Sequence, residues 1–526
     1  MNKHNSFLYQ NIKNPLHWRV SEIILKQSSS HPNLKIIKFI DGPEWTYNDL
    51  KIKSLQKANI LKKIGLKKGD TVTIFIEDPK EFILYWVASN FLGLTFVALN
   101  TAIKGNGLSH QIQTSQSKYV IVENQFYGEV FGVTKDKKLE VIVLNCEELS
   151  TEDLIDENEV KFGKLSDNVC AMFTSGTSGP SKGVMMPNAH CVLFAIGTIE
   201  NYNLKHHHNF YISLPLFHAN GLFMQLLACF MTGARAIIRN KFSASNWLYD
   251  IRKYRITHTN MLGAIAAFIV SQPSSKYDKD HELIMIGSAP LPSEPERIFR
   301  ERFGVKDVLP LYGMTEVNIP IYGLKNEIGG GKCGKVYEKY FEVEIRDPDQ
   351  DIPVEDGKVG EIMVRPKQPF GFMSGYMGMP EKTIESWRNF WFHTGDAGIR
   401  EASGYFIFVD RIKDCIRRRG ENISSYEVEQ AFLEIPYITE AAAYAIPAEG
   451  GDGMEDEVMV ALMTNRDISI NFEDLINTAK RNLAKFSVPK YLRIMKEFPK
   501  TQTGKIQKNK LREEGITVDT WQNKNI

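Results

Sequence analysis

Residues 169–173 form a short apolar run, and the next ten read Thr174-Ser-Gly-Thr-Ser-Gly-Pro-Ser-Lys-Gly183. No other stretch restricts the fold so strongly. Glycines and hydroxyls at this density let backbone N–H and side-chain O–H groups wrap an oxyanion, and Lys182 adds positive charge. The segment therefore reads as a strand running into a phosphate cradle. A Walker A loop is excluded: counting from Gly176, Ser181 stands where the second glycine belongs, and Gly183 replaces the Mg²⁺-binding hydroxyl. A flexible Ser/Gly linker has similar composition, but a strand leads into this one and a lysine follows it.

The surrounding chain alternates β-rich runs with helical patterns, the signature of α/β layering. Residues 71–76 read as a strand, 81–90 as the helix after it, and 119–123 and 141–145 as further strands. Ser243 or Ser245 is placed to cap a helix on which Trp247, Ile251 and Tyr254 share a face, and 257–261 returns as a strand. After about Asp410 the pattern changes. A helix is expected over 424–433, strands over 438–446 and 457–464, and a helix from Asn471 carrying Leu475, Ala479 and Leu483 on one stripe, before a strand over 491–495. These make a compact α+β module, large enough to fold alone. The expected division is residues 1–410 and 411–526, with the boundary at 410–413.

A chain of 526 residues with 43% hydrophobic content has room for more than one core. Lys plus Arg (64) nearly cancels Asp plus Glu (63), so no global field draws it to nucleic acid. The six cysteines include no CxxC pair and no zinc-ligand spacing, and read as reduced, buried thiols. The N-terminus lacks the apolar core of a secretory signal, and the greasiest stretches are too short to span a bilayer. A cytoplasmic protein without a transmembrane segment is expected.

Four further motifs carry chemistry. In Tyr312-Gly-Met-Thr-Glu316 a hydroxyl adjoins a carboxylate, which suits Mg²⁺, although Thr-Glu pairs also cap helices. In His393-Thr-Gly-Asp396, Asp396 is placed either to accept ribose hydroxyls or to make a surface Asx turn. Residues 410–423 carry Arg417–Arg419, read alone as a solvated basic loop. Residues 501–506 offer Lys505 after a turn glycine. His206-His-His208 has no supporting ligand cluster and reads as a loop.

In this order the motifs resemble the adenylate-forming superfamily of acyl-CoA synthetases, nonribosomal adenylation domains and luciferases. The resemblance runs from about Trp45-Thr-Tyr47 to Leu511. Residues 418–429 and 483–491 look most like carnitine/crotonobetaine-CoA ligases; Ser181 departs from the proline of most members. The implied fold is α/β: a large N-terminal domain of layered sheets and helices plus a small, mobile α+β C-terminal domain. The implied substrates are a small carboxylic acid, ATP and coenzyme A, with Mg²⁺.

The implied roles follow residue by residue. Thr174, Ser175, Gly176, Thr177, Ser178, Gly179 and Lys182 would hold the β- and γ-phosphates. Thr315 would contact the α-phosphate, and Glu316 would help place the metal. Ser288, Ala289 and Pro290, with Tyr312, Gly313 and Met314, would line the nucleotide, while Asp396 and Arg411 hold the ribose. Lys505 would bridge the α-phosphate and the incoming carboxylate. Lys413 matches the hinge about which the small domain rotates, Gly420 the thiol tunnel, and Arg419 a contact to coenzyme A. Phe217, His218 and Gly313 would border the acyl pocket, with His218 as a gate. Phe217, Phe223, Phe230 and Tyr322 are candidate walls for a trimethylammonium group, and such aromatics equally make plain core. Two rivals stand beside this reading: transfer to a carrier-protein thiol, and a non-catalytic nucleotide-binding homologue.

Overall fold

The computed structural model describes residues 13–135, 142–149, 151–174, 181–412, 414, 416–418, 421–423, 425–448, 456–465, 470–480, 483, 485–501 and 504–524. Its contacts divide the chain into two compact units. The first gathers Met1–Thr174, Pro180–Glu342 and Val364–Trp387; the second holds Val343–Met363 and Arg388–Ile526.

Two twisted sheets build the first unit. Six strands of the nine-stranded sheet run parallel, in the spatial order Asp307–Met314, Met285–Ala289, His258–Leu262, Asn209–Ile212, Arg235–Ile238 and Lys35–Phe39. The seven-stranded sheet has five parallel strands, Asn168–Thr174, Thr95–Ala98, Thr71–Phe75, Tyr119–Val122 and Ile142–Asn145, and Lys182–Pro187 with Gly375–Tyr376 added antiparallel at one edge. Parallel neighbours need crossovers, and helices supply them. Asp78 caps the helix Pro79–Leu92, which ends at Gly93 with φ 69°. Thr46 and Asp49 close a capping box on Tyr47–Lys63. Ser243 is the cap of Ala244–Lys253, on which Trp247 and Ile251 are buried.

The helix Asn188–Tyr202 is buried on nearly every side. It touches strands of both sheets, so it has no water-facing stripe to keep polar. Parallel strands of both sheets end in loops at their carboxyl edges, where α/β folds place ligands.

Phe341–Arg346, Val359–Pro366, Phe392–Arg400 and Phe406–Arg411 form a four-stranded sheet. A second four-stranded sheet begins at Ile438–Pro447 and continues through Asp456–Thr464, Tyr491–Ile494 and Trp521–Gln522. Period-two alternation fills both its faces: Val458, Val460 and Leu462 join one apolar cluster, and Met459 and Ala461 the other. Asn471 caps Phe472–Ala479, which buries Leu475 and Ala479. Leu483 lies beyond the end of that helix but still packs on the same core.

Four described cysteines are buried and Cys333 is half-buried; burial pushes the Cys146 thiol up to about 12. No helix among the described residues is long and apolar enough to cross a membrane.

His208 and His258 stack with ring centroids 4.4 Å apart, both buried, faced by Lys205, His206, His207 and Lys325. Burial, with Lys205 and Lys325 nearby, holds the two imidazoles down, to about 4 and about 3. Between pH 6.5 and those values the unfolded chain therefore binds protons that the native state refuses, and stability falls as pH drops. The expected slope is roughly 1.4 kcal/mol per pH unit for each group. Urea midpoints measured from pH 7 to pH 4.5 check this, and His258→Gln should flatten the profile.

Candidate active site

The phosphate-loop segment joins two antiparallel strands. Thr174 pairs with Lys182 and Phe173 with Gly183, so the two strands that flank the segment run antiparallel right up to it. Ser175, Gly176, Thr177, Ser178 and Gly179 lie outside the described residues. Ser181 anchors the returning side: the Gln111 amide donates to its hydroxyl at 2.9 Å, and His110 Nε2 donates to its carbonyl at 2.9 Å. Both partners sit on the helix Gly105–Ser115. The hydroxyl that replaces the usual proline thus has its own tether.

Thr315 and Glu316 occupy a tight turn between the antiparallel strands Asp307–Met314 and Asn318–Tyr322. The helix-capping alternative is thereby removed, since no helix starts here. Gly313 is obligatory: a Cβ would collide with the Asn318 carbonyl and lie 2.6 Å from Ile319 Cδ1. His190 braces the turn. Its ring nitrogens face the carbonyl oxygens of Thr315 at 2.8 Å and Gly371 at 2.7 Å, and burial lowers its pKa to about 4. The Asn318 amide donates to the His190 carbonyl at 3.0 Å.

Glu316 is only 4% exposed. The Tyr376 hydroxyl donates to its Oε1 at 3.1 Å, and Met373 N–H donates to its main-chain oxygen at 3.0 Å. Tyr376 also carries Lys182, whose Nζ stands 4.4 Å from the ring centroid. One tyrosine therefore links the lysine of the phosphate loop to the carboxylate of the second motif. The sequence reading missed it. Its only signal is an aromatic residue between two glycines of positive φ, Gly375 and Gly378, because a two-residue strand shows no periodicity. Tyr376 reaches the site by pairing with Val184.

Ser288 and Ala289 end the strand Met285–Ala289; Ser288 is buried, and its hydroxyl donates to the Pro290 carbonyl at 2.9 Å. Tyr312 is buried and pairs with Ile321, while Met314 pairs with Asn318. His218 and Phe217 are half-buried with rings 4.6 Å apart, immediately before a π-helical segment, Asn220–Leu227. Such segments concentrate at functional sites. Phe223 and Phe230 pack against Trp86, fully buried, and Tyr322 packs edge-on against Tyr337. These three are core, not the walls of a cation box.

In the second unit, Asp396 and Arg411 are register partners, with Arg411 Nε 2.8 Å from Asp396 Oδ1. The alternative of a surface Asx turn fails, because Asp396 is 4% exposed and lies within a strand. Glu361 holds the approach, accepting from Gly395 N–H at 2.9 Å and standing 2.9 Å from His393 Nδ1. Arg418 is not a solvated basic residue: it is 1% exposed and pairs with Glu457 at 2.7 Å. Lys505 is exposed, its N–H bonded to Thr501 Oγ1 at 3.1 Å. Lys413, Arg419 and Gly420 lie outside the described residues.

The family described as AMP-binding enzyme matches residues 25–377, and the AMP-binding enzyme C-terminal domain matches 427–505. The chain belongs to the AMP-binding enzyme family. Crotonobetaine/carnitine–CoA ligases of Salmonella paratyphi B and Salmonella typhimurium are each 28% identical over 491 residues, 89% of this chain and 93% of theirs. Among solved structures, ATP-bound MatB from Rhodopseudomonas palustris aligns with TM-score 0.83 at 23% identity, covering 95% of this chain and 99% of that one. The o-succinylbenzoate coenzyme A synthetase of Bacillus subtilis in complex with AMP gives 0.82 at 24%, covering 93% and 98%. These two likenesses establish the fold of this AMP-binding enzyme: layered sheets and helices in a large N-terminal domain, with a small C-terminal domain.

Tyr376→Phe removes the hydroxyl from Glu316 and keeps the ring beneath Lys182. A hydrogen bond to a charged group contributes about 1.5–3 kcal/mol, so the thermal midpoint should fall, and MgATP affinity should fall roughly tenfold as the Glu316 carboxylate loses the group that orients it. Tyr376→Ala, which also removes the ring beneath Lys182, should cost more. Calorimetric titration of both variants with MgATP checks the order.

Proposed function

We propose that this AMP-binding enzyme is an ATP-dependent acyl-CoA ligase acting on a small carboxylic acid. The observation that carries this reading is Tyr376, with Lys182 over its ring and Glu316 on its hydroxyl. A phosphate-loop cation and a buried carboxylate meeting on one residue suit a magnesium polyphosphate. The Glu316 carboxylate is a hard oxygen donor and would help hold Mg²⁺, which when bound neutralises phosphate charge. The family match and the CoA-ligase relatives support the same reading.

In the first step a carboxylate oxygen attacks the α-phosphorus of ATP; the P–O bond to the β-phosphate breaks, giving acyl-AMP and pyrophosphate. Nucleophile and target are both anionic, so the protein must align them and neutralise charge. Lys182 and Thr174, with Ser175, Gly176, Thr177, Ser178 and Gly179, hold the β- and γ-phosphates, and Thr315 faces the α-phosphate. Ser288, Ala289, Pro290, Tyr312, Gly313 and Met314 line the adenine side, Asp396 accepts from the ribose, and Arg411 orients Asp396. Lys505 stabilises the charge between carboxylate and α-phosphate.

In the second step the coenzyme A thiolate attacks the acyl carbon, the mixed anhydride breaks, and AMP leaves. We take residues 1–410 and 411–526 as the working halves, with Lys413 as the hinge between steps. Gly420 and Arg419 then serve coenzyme A, and His218 gates the pocket that Phe217 and Gly313 border. Cytoplasmic location follows from the supply of ATP and coenzyme A. Carnitine-type acids head the substrates to test, because the curated relatives are named for them.

Lys505→Ala should abolish acid-dependent pyrophosphate release yet leave coenzyme A attack on a supplied acyl adenylate largely intact. Quenched-flow measurement of the two half-reactions separates these outcomes; an equal fall in both would contradict the role given to Lys505.

A further inference from the structure

The helix Lys508–Glu514 begins three residues after Lys505 and carries two cations one turn apart on the same face, Lys508 and Arg512. Arg512 pairs with Asp414, the residue after Lys413, at 2.5 Å, and the Asp414 N–H donates to the Arg411 carbonyl at 2.8 Å. Lys508 Nζ stands 2.7 Å from Glu429 Oε1 and also donates to the Ser425 hydroxyl. Ser425 passes the contact on to Asp410, on the other side of Lys413 in the sequence. Its hydroxyl and its N–H, the latter at 2.7 Å, both donate to Asp410 Oδ2. Asp410, Asp414 and Ser425 are buried, so water does not compete for these bonds.

The two ends of this chain of contacts lie beside the residues given to the nucleotide. Asp410 precedes Arg411 and is the register partner of Ala397, the neighbour of Asp396. At the other end, the helix is tied to the segment that bears Lys505. Residues 500 and 506 form an antiparallel bridge, the Thr501 N–H donates to the Lys505 carbonyl at 2.7 Å, and Ile506 and Leu511 pack into one apolar cluster. A short path of buried bonds thus joins the strand given to the ribose to the lysine given to the α-phosphate. Stability alone does not call for it, because buried ion pairs add little over apolar residues of the same size; fixing a register is their best-attested use.

We propose that Lys508 and Arg512 are positioning residues for the adenylation step: together they brace Asp410 and Asp414 and so set Lys505 at a fixed reach from Asp396. This rests on the acyl-CoA ligase reading and adds the device that aligns two of its nucleotide contacts. The Asp410–Ser425 bonds span Lys413, so rotation about that residue breaks them. The brace belongs to the arrangement that forms acyl-AMP and is released for the attack of coenzyme A.

The test uses the full-length chain and two readouts. Trypsin needs no substrate, since Arg411, Lys413 and Arg417–Arg419 supply cleavage sites in and beside the braced segment. Lys508→Met and Arg512→Gln should each speed cleavage there roughly tenfold, and Lys508→Arg should restore the wild-type rate. The second readout is single-turnover pyrophosphate release from MgATP with the fastest of carnitine, 3-hydroxybutyrate, butyrate and benzoate. Lys508→Met and Arg512→Gln should slow it roughly tenfold with KM for MgATP little changed, while coenzyme A attack on the supplied acyl adenylate keeps its rate. A merely structural tie would lower the thermal midpoint and both half-reactions together. Should Lys508→Met not fold, Ser425→Ala removes the middle hydroxyl without stranding a charge, and the same split in rates is expected of it. Unchanged cleavage, or an equal fall in both half-reactions, would overturn the assignment and leave the ligase reading standing. No acid-dependent release from the wild-type chain would overturn both.

Discussion

A carboxylate held away from water sets the terms for the rest of this site. Glu316 has almost no exposure, and burying an ionised carboxylate is unfavourable unless neighbours replace its hydration. The first unit supplies part of that replacement from a distant stretch of chain. Tyr376, sixty residues on, donates to the carboxylate, and Met373 closes on its main chain. The turn that presents Glu316 is in turn fixed by Gly313, which only a missing side chain allows, and by His190 against Thr315. The same tyrosine ring carries Lys182. A positive and a negative group are therefore held on one rigid support before any nucleotide arrives, which is the form that electrostatic preorganisation takes.

The layered sheets make that support. The strands that flank the phosphate-loop segment belong to the seven-stranded sheet, next to its edge strand Gly375–Tyr376, and the strand ending in Gly313 and Met314 belongs to the nine-stranded one. Asn188–Tyr202, packed between strands of both, carries His190 to the carbonyl of Thr315. A helix buried on nearly all sides has little freedom to shift, so small changes in its side chains are felt at the turn it braces. In the second unit Asp396 and Arg411 are paired across adjacent strands, and Glu361 fixes the segment leading to them.

Local chemistry was readable from the sequence wherever it was written in consecutive residues. The loop before Lys182, the Thr315–Glu316 pair and the Asp396 segment stood out because hydroxyls, glycines and charges crowd together there. Their alternatives were decided only by the fold: the segment at Thr315, where a helix cap was the alternative, is a turn between antiparallel strands, and Arg418, read as a solvated cation, is buried against Glu457. Tyr376 and His190 carried no signal of their own. Each works through partners 60 to 194 residues away in the chain. Phe223 and Phe230 show the converse, since an aromatic-rich stretch that suggested a binding wall is ordinary core around Trp86.

Pyrophosphate release from MgATP, measured across a panel of acids with and without coenzyme A, tests the central claim most directly. The account predicts release that requires an acid, stops after a single turnover when coenzyme A is withheld, and becomes continuous when it is added, with AMP and a thioester as products. Release that ignores the acid, or firm MgATP binding with no release for any acid, would contradict it.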